Sequence, residues 1–194
     1  MNVRTQIGLM LIIGGVLNFG GWGASAALED TSVGLTKLSL SIATLGMLIL
    51  AAGFYGLVDS MDKGSGALYA KTGLLIFVIG TAVAIIEPAL IIGAAEANAA
   101  GNPALEKTID AIQMAIASAG VGIYFLGFAI IGVGILMQKH LNTLIAGPMV
   151  VMGLFGAFMS IYDYESLLLL PSYASTLFLP LATGIVFIRS RVES

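Results

Sequence analysis

Six apolar stretches follow one another along this chain, separated by short charged turns. Each reaches or approaches the roughly 20 residues that a membrane-spanning helix needs. They lie near residues 6–28, 36–58, 72–95, 108–137, 143–161 and 167–189. Inside hydrocarbon every backbone amide must be satisfied by the protein itself, so runs of this length fold as helices. With 58% hydrophobic and 10% charged residues, the chain lacks the roughly one-quarter charged residues from which a water-exposed surface is built. The expected fold is an all-α integral membrane protein, a six-transmembrane helix bundle forming one polytopic domain over residues 1–194.

The turns carry nearly all the charge, and they carry it unequally. Arg4, Lys63, Lys71, Lys139, Arg189 and Arg191 fall on one side of the six crossings. Only Lys37 and Lys107 fall on the other, beside Glu29, Asp30, Glu96, Glu106, Asp110, Asp163 and Glu165. The positive-inside rule then puts both termini in the cytoplasm and the acidic turns outside, in what we expect to be a prokaryotic cytoplasmic membrane. A rival reading exists for the first run: Arg4, an apolar core from Ile7 to Phe19 and Ala24-Ser25-Ala26 resemble a cleavable signal sequence. Cleavage would leave five crossings without reversing the rest.

Several chemistries are excluded early. Cysteine is absent, which removes disulfides, thiolate metal sites and cysteine nucleophiles. A single histidine, His140, beside Lys139 in a short turn, reads as solvent-facing and is too few for bis-histidine haem or multi-histidine centres. No Walker loop, dinucleotide fingerprint, HExxH or G-x-S-x-G sequence occurs. No basic cluster suits nucleic acid. We therefore expect no enzyme, no cofactor, no metal and no nucleic-acid partner.

Glu87 is the one formally charged residue set deep in an apolar run, and Pro88 follows it. A charge there costs several kcal/mol by insertion scales of about 3 kcal/mol, so such a residue is a functional candidate. Proline cannot donate to the carbonyl of Ala84, which loosens the helix beside the acid. Other polar residues accompany it. Asn18, Trp22 and Ser25 share a face of the first helix; Lys37, Ser41 and Thr44 share one of the second; Asp110 and Gln113 share one of the fourth. Ser172, Ser175 and Thr176 align on the sixth, with Thr183 further in. Asn18, Thr44, Glu87, Ser118 and Thr176 each fall some eight to ten residues from the outer end of their helix, ~12–15 Å deep. The inner half is almost wholly Gly, Leu, Ile, Val, Phe and Met. This pattern points to an outward-facing polar layer or vestibule floored near Glu87, with Asn18, Trp22, Ser41, Thr44, Gln113, Ser118, Ser172 and Thr176 as ligand- or ion-binding candidates. Tyr162-Asp163-Tyr164-Glu165 reads as an aromatic–acidic interfacial belt or a cation- or partner-binding turn.

Glycine, 25 times in the chain, supplies small-xxx-small pairs such as Ala52/Gly56, Gly153/Ala157 and Gly156/Ser160, and a stripe at Gly120, Gly127 and Gly134. Such faces pack helices within one chain or reserve a surface for a protein partner or a second copy. The stretches 8–15 (GLMLIIGG) and 73–80 (GLLIFVIG) match, which is compatible with three repeated helical hairpins. Missing motifs and a one-sided polar layer favour a non-catalytic membrane protein: an accessory or assembly subunit, or one that binds a small ligand or lipid. The alternatives are a small secondary transporter using Glu87 as proton or cation site, and a membrane enzyme of unknown reaction.

Overall fold

The computed structural model describes residues 2–28, 32–139 and 141–189. Glu29, Asp30 and Arg191, counted in the charge asymmetry, and the turn residue His140 lie outside the described residues. Within them the regular structure is helical throughout: α1 (Val3–Leu28), α2 (Val33–Asp59), α3 (Ala67–Ala84), α4 (Ile86–Ala99), α5 (Pro103–Gln138), α6 (Thr143–Tyr162) and α7 (Leu170–Arg189), the last entered through a 3-10 turn at Leu167–Leu169. With α3 and α4 taken as one span, six helices are long and apolar enough to cross a membrane. That suggests a multi-pass helical membrane protein.

Side-chain caps set the helix starts. Ser32 accepts from the Leu35 amide, Asn142 from Leu144, and Asn102 from Leu105 at 3.2 Å, with Pro103 in the first turn where its missing N–H is harmless. The fourth span thus begins at Pro103, ahead of the apolar run that starts near 108. The third departs from expectation: instead of one helix over 72–95, the chain forms α3 and α4, broken at Ile85. Pro88 is the physical reason, because it leaves the Ala84 carbonyl without its helical donor and tolerates only the first turn of a new helix.

Each span packs on its chain neighbours and α7 returns to α1, so the six spans close a ring. Glycine builds the seams. A Cβ added at Gly127 would stand 2.2 Å from the Phe77 amide nitrogen, and one at Gly46 would stand 2.2 Å from that of Asn18. The α1–α7 closure is a mutual approach, with Gly8 and Gly184 each against the other's carbonyl. The Gly120, Gly127 and Gly134 stripe is consumed by α3 through Val83, Phe77 and Ala70, so it offers no free face to another subunit. The matched stretches also use matched glycines differently: Gly8 and Gly15 face α7, whereas Gly73 and Gly80 face α5. The sequence match is not repeated in the packing.

The ring's interior is filled toward one end and hollow toward the other. Edge-to-face rings run from Phe128 through Phe54 to Phe77, which meets Tyr124; Tyr124 meets Phe125, and Phe125 meets Tyr173. Such pairs add about 0.5–1.5 kcal/mol each beyond the area they bury. The filled half ends at the turns bearing Lys63 and Lys139, where Gln138 donates to the Lys63 carbonyl at 3.1 Å and the Arg4 guanidinium lies 4.8 Å from the Phe187 ring centre. We call this the basic end and its opposite the acidic end.

The spans differ in length, and the excess is all at the acidic end. α6 has 20 residues and α5 has 36, about 30 and 54 Å long. Gly122 of α5 packs beside Ala157 and Ile161 near the end of α6, so the first turns of α5 stand beyond it. The α4–α5 hairpin therefore projects past the α6–α7 turn. Lys37 of α2 pairs with Glu96 of α4 in this projecting part.

Close backbone approach predicts the cost of filling a seam. Gly127→Ala should lower thermal stability in detergent by about 1–3 kcal/mol, the usual penalty of overpacking. Gly20→Ala, whose Cβ would meet nothing within 4 Å, should leave the melting curve unchanged or raise it slightly.

Candidate functional site

A cavity of about 410 Å³ occupies the hollow of the ring at the acidic end. Its floor is the upper edge of the aromatic fill, with Met47, Val121 and Tyr124. Asn18, Phe19 and Trp22 of α1 form one wall, and Tyr173 and Thr176 of α7 another. Glu87 enters from α4, and Tyr164 folds in from the α6–α7 turn.

Glu87 is 5% exposed. Its Oε1 accepts from the Tyr164 hydroxyl at 2.6 Å and from Gln113 Nε2 at 2.9 Å. Tyr173 in turn donates to the Tyr164 oxygen at 3.3 Å. A side-chain relay thus joins α5, α4, the α6–α7 turn and α7. The donors suit an acceptor, and the first turn of α4 adds the favourable end of a helix dipole. Yet among the described residues no cationic side chain pairs with Glu87: the ion pairs are Lys37–Glu96 and Lys71–Asp62.

Two further residues of the wall carry a polar atom buried behind the cavity surface. Asn18 is 6% exposed and its Oδ1 accepts nothing, and the buried Tyr124 hydroxyl lies beside the Thr176 side chain. Buried polar atoms left unpaired each cost about 1–3 kcal/mol, and native proteins hold few of them. A cavity lined by an acid without a cationic partner and by aromatic side chains has the character of a binding site.

α4 continues to Ala99 rather than ending near 95, yet the acid is level with the α6–α7 turn, as its bond to Tyr164 requires. From Ala67 to Glu87 the chain rises about 30 Å. Glu87 is thus level with the α6–α7 turn while α4 carries on past it.

Four of the residues singled out from sequence, Asn18, Trp22, Glu87 and Thr176, line the cavity. Gln113 reaches it through Glu87. The others do not meet there. Ser41 is exposed on the outer face of α2, and Thr44 donates to its own helix at the Leu40 carbonyl, because α2 turns Leu40, Ala43, Met47 and Leu50 inward. Ser118 donates to Ala115 within α5, and Ser172 ties α7 to α6 by donating to the Met152 carbonyl at 3.0 Å. Pro88 acts through the helix break. The tyrosines at 124, 164 and 173 were not singled out as binding residues; the Tyr164 turn was read as a belt or a cation- or partner-binding turn, and only the chain's return over the cavity brings its hydroxyl to Glu87. A larger hollow, about 690 Å³, runs along α5 from Ala104 to Ile116. One helix alone lines it, and no buried polar groups converge there.

The relay makes a differential stability prediction. Tyr164→Phe removes a donor to a buried acid and should cost about 1.5–3 kcal/mol in a detergent melt, whereas Ser41→Ala should stay within about 0.5 kcal/mol of the unaltered chain. No protein-family model, curated protein or solved structure matches the chain, so its function is read from this geometry.

Proposed function

We propose that the chain is a non-catalytic membrane protein that binds a small amphipathic molecule in the acidic-end cavity. The observation that carries this reading is one cavity lined by Glu87, hydrogen-bonded but without a cation, among Trp22, Tyr124, Tyr164 and Tyr173. Its volume is in the range of small-molecule sites, about 300–1,000 Å³. The charge asymmetry of the turns supports an opening toward the outside with both termini cytoplasmic. Trp22 and Tyr164 at the mouth suit the membrane–water boundary, where amphipathic rings concentrate. Use of the glycine seams within the ring takes away the physical motive for an obligate assembly subunit.

A transporter remains the second reading, favoured by the helix break at Ile85 beside Glu87, since interrupted helices flank many transport sites. Against it stands the aromatic fill beneath the cavity, which leaves no polar path to the basic end.

Both aspects are open to measurement. Trp22 is the chain's one tryptophan and lines the cavity, so its fluorescence should change saturably on titration with 2-phenylethanol. Gly23→Phe, placed at the mouth where a side chain meets no neighbour within 4 Å, should weaken that response about tenfold or more. No saturable response would refute the binding reading, and proton or cation flux in liposomes abolished by Glu87→Gln would replace it with the transporter. The chain has no cysteine, so orientation follows from single-cysteine labelling. Glu165→Cys should react with an impermeant maleimide in intact cells, and Lys63→Cys only after lysis.

A further inference from the structure

The chemistry of the cavity's unpaired groups narrows what they accept. Both protein donors to Glu87 fall on Oε1, leaving Oε2 without either of them in a side chain that lines the cavity. A carboxylate oxygen facing the cavity calls for hydrogen-bond donors, and an uncompensated buried carboxylate calls for positive charge. No lysine or arginine lines the cavity to supply it.

The rest of the wall specifies the form of the charge. Trp22, Tyr124, Tyr164 and Tyr173 are among the lining residues, and aromatic faces attract cations, best when desolvated. Phe19, Met47 and Val121 offer apolar surface to the remainder of a ligand. A bare metal ion fits poorly, because among the described residues no group of three or more His, Cys, Asp and Glu side chains comes together, and hard cations need many oxygen ligands. A phosphate-bearing headgroup fits poorly too, since nothing basic would meet the phosphate.

Building on the ligand-binding reading above, we infer that the occupant is a free organic ammonium: a protonated primary or secondary amine with an apolar, preferably aromatic, body. Its nitrogen donates to Glu87, with the tyrosines around it and the body directed toward Phe19 and Val121. Binding is non-covalent and the molecule leaves unchanged.

Full-length protein in nanodiscs of phosphatidylglycerol alone is titrated, at neutral pH, with phenethylamine and with 2-phenylethanol, which carry the same ring and chain with and without the cation. Trp22 fluorescence reads both. The amine should bind at least about tenfold tighter than the alcohol, a difference of about 1.4 kcal/mol. Glu87→Gln keeps an oxygen for Tyr164 and Gln113 to donate to while removing the charge; it should erase the preference and leave alcohol binding in place. Equal affinity for the two compounds in unaltered protein overturns the ammonium inference while leaving the cavity a binding site, and no response to either overturns the binding reading itself. The unaltered protein decides this even where Glu87→Gln fails to fold. Repeating the titration with phosphatidylethanolamine in the nanodisc separates the sources of the cation. Unchanged amine affinity supports a free ligand, whereas a tenfold loss by competition assigns the site to an aminolipid headgroup and overturns it.

Discussion

Backbone-to-backbone approach at glycine is the constraint from which the rest of this structure follows. Between helices in lipid there is little hydrophobic gain, so contact must come from dispersion and close packing. Gly46 against Asn18, Gly127 against Phe77 and Gly8 against Gly184 bring neighbouring axes together at three of the seams. Helices tied edge to edge in this way make a ring, and a ring of six leaves a space at its centre. How that space is filled then separates the two ends of the molecule. Phenylalanines at 54, 77, 125 and 128 close it toward the basic end, whereas the acidic end receives polar and amphipathic side chains and stays hollow.

Pro88 determines how an acid can live beside that hollow. By ending α3 it turns Glu87 from a mid-helix residue into part of the first turn of α4. There the helix dipole favours negative charge. The same break leaves the acid level with the α6–α7 turn. Uneven helix length does the remainder: the short α6 lets its following turn bend over the cavity, and Tyr164 closes the bond that α4 alone leaves open. Removing one element of this arrangement would leave Glu87 as an expensive buried charge.

Span number and the exceptional status of Glu87 were legible in sequence because each has a local cause: run length, and one charge in an apolar stretch. Helix rotation was not. In a soluble bundle the polar face points outward, but here both faces of α2 are apolar and polarity carries little information about direction. Ser41 and Thr44 share a face with Lys37, which made that face look like the inner one. The true inner face is marked by packing, through Gly46 and Gly53 against α1. Small residues, rather than polar ones, were the signal for orientation. The tyrosines were hidden for a different reason: Tyr164 is in a turn, where neither helical period nor spacing says which way the chain folds.

The surroundings of Glu87 bear on the balance between functions. An acid isolated among apolar helices argues for a proton or ion path. Glu87 is not isolated: it lines a cavity with Trp22 and Tyr164 and accepts from Tyr164 and Gln113, so its burial comes from the cavity walls. Beneath it the first polar group on α7 toward the basic end is Thr183, fully buried with an unpartnered hydroxyl, and the aromatic fill separates the two. A path across the molecule would have to dismantle edge-to-face contacts on four helices at once. A site that opens to one side and holds what enters needs no such movement, and the fixed floor becomes its asset.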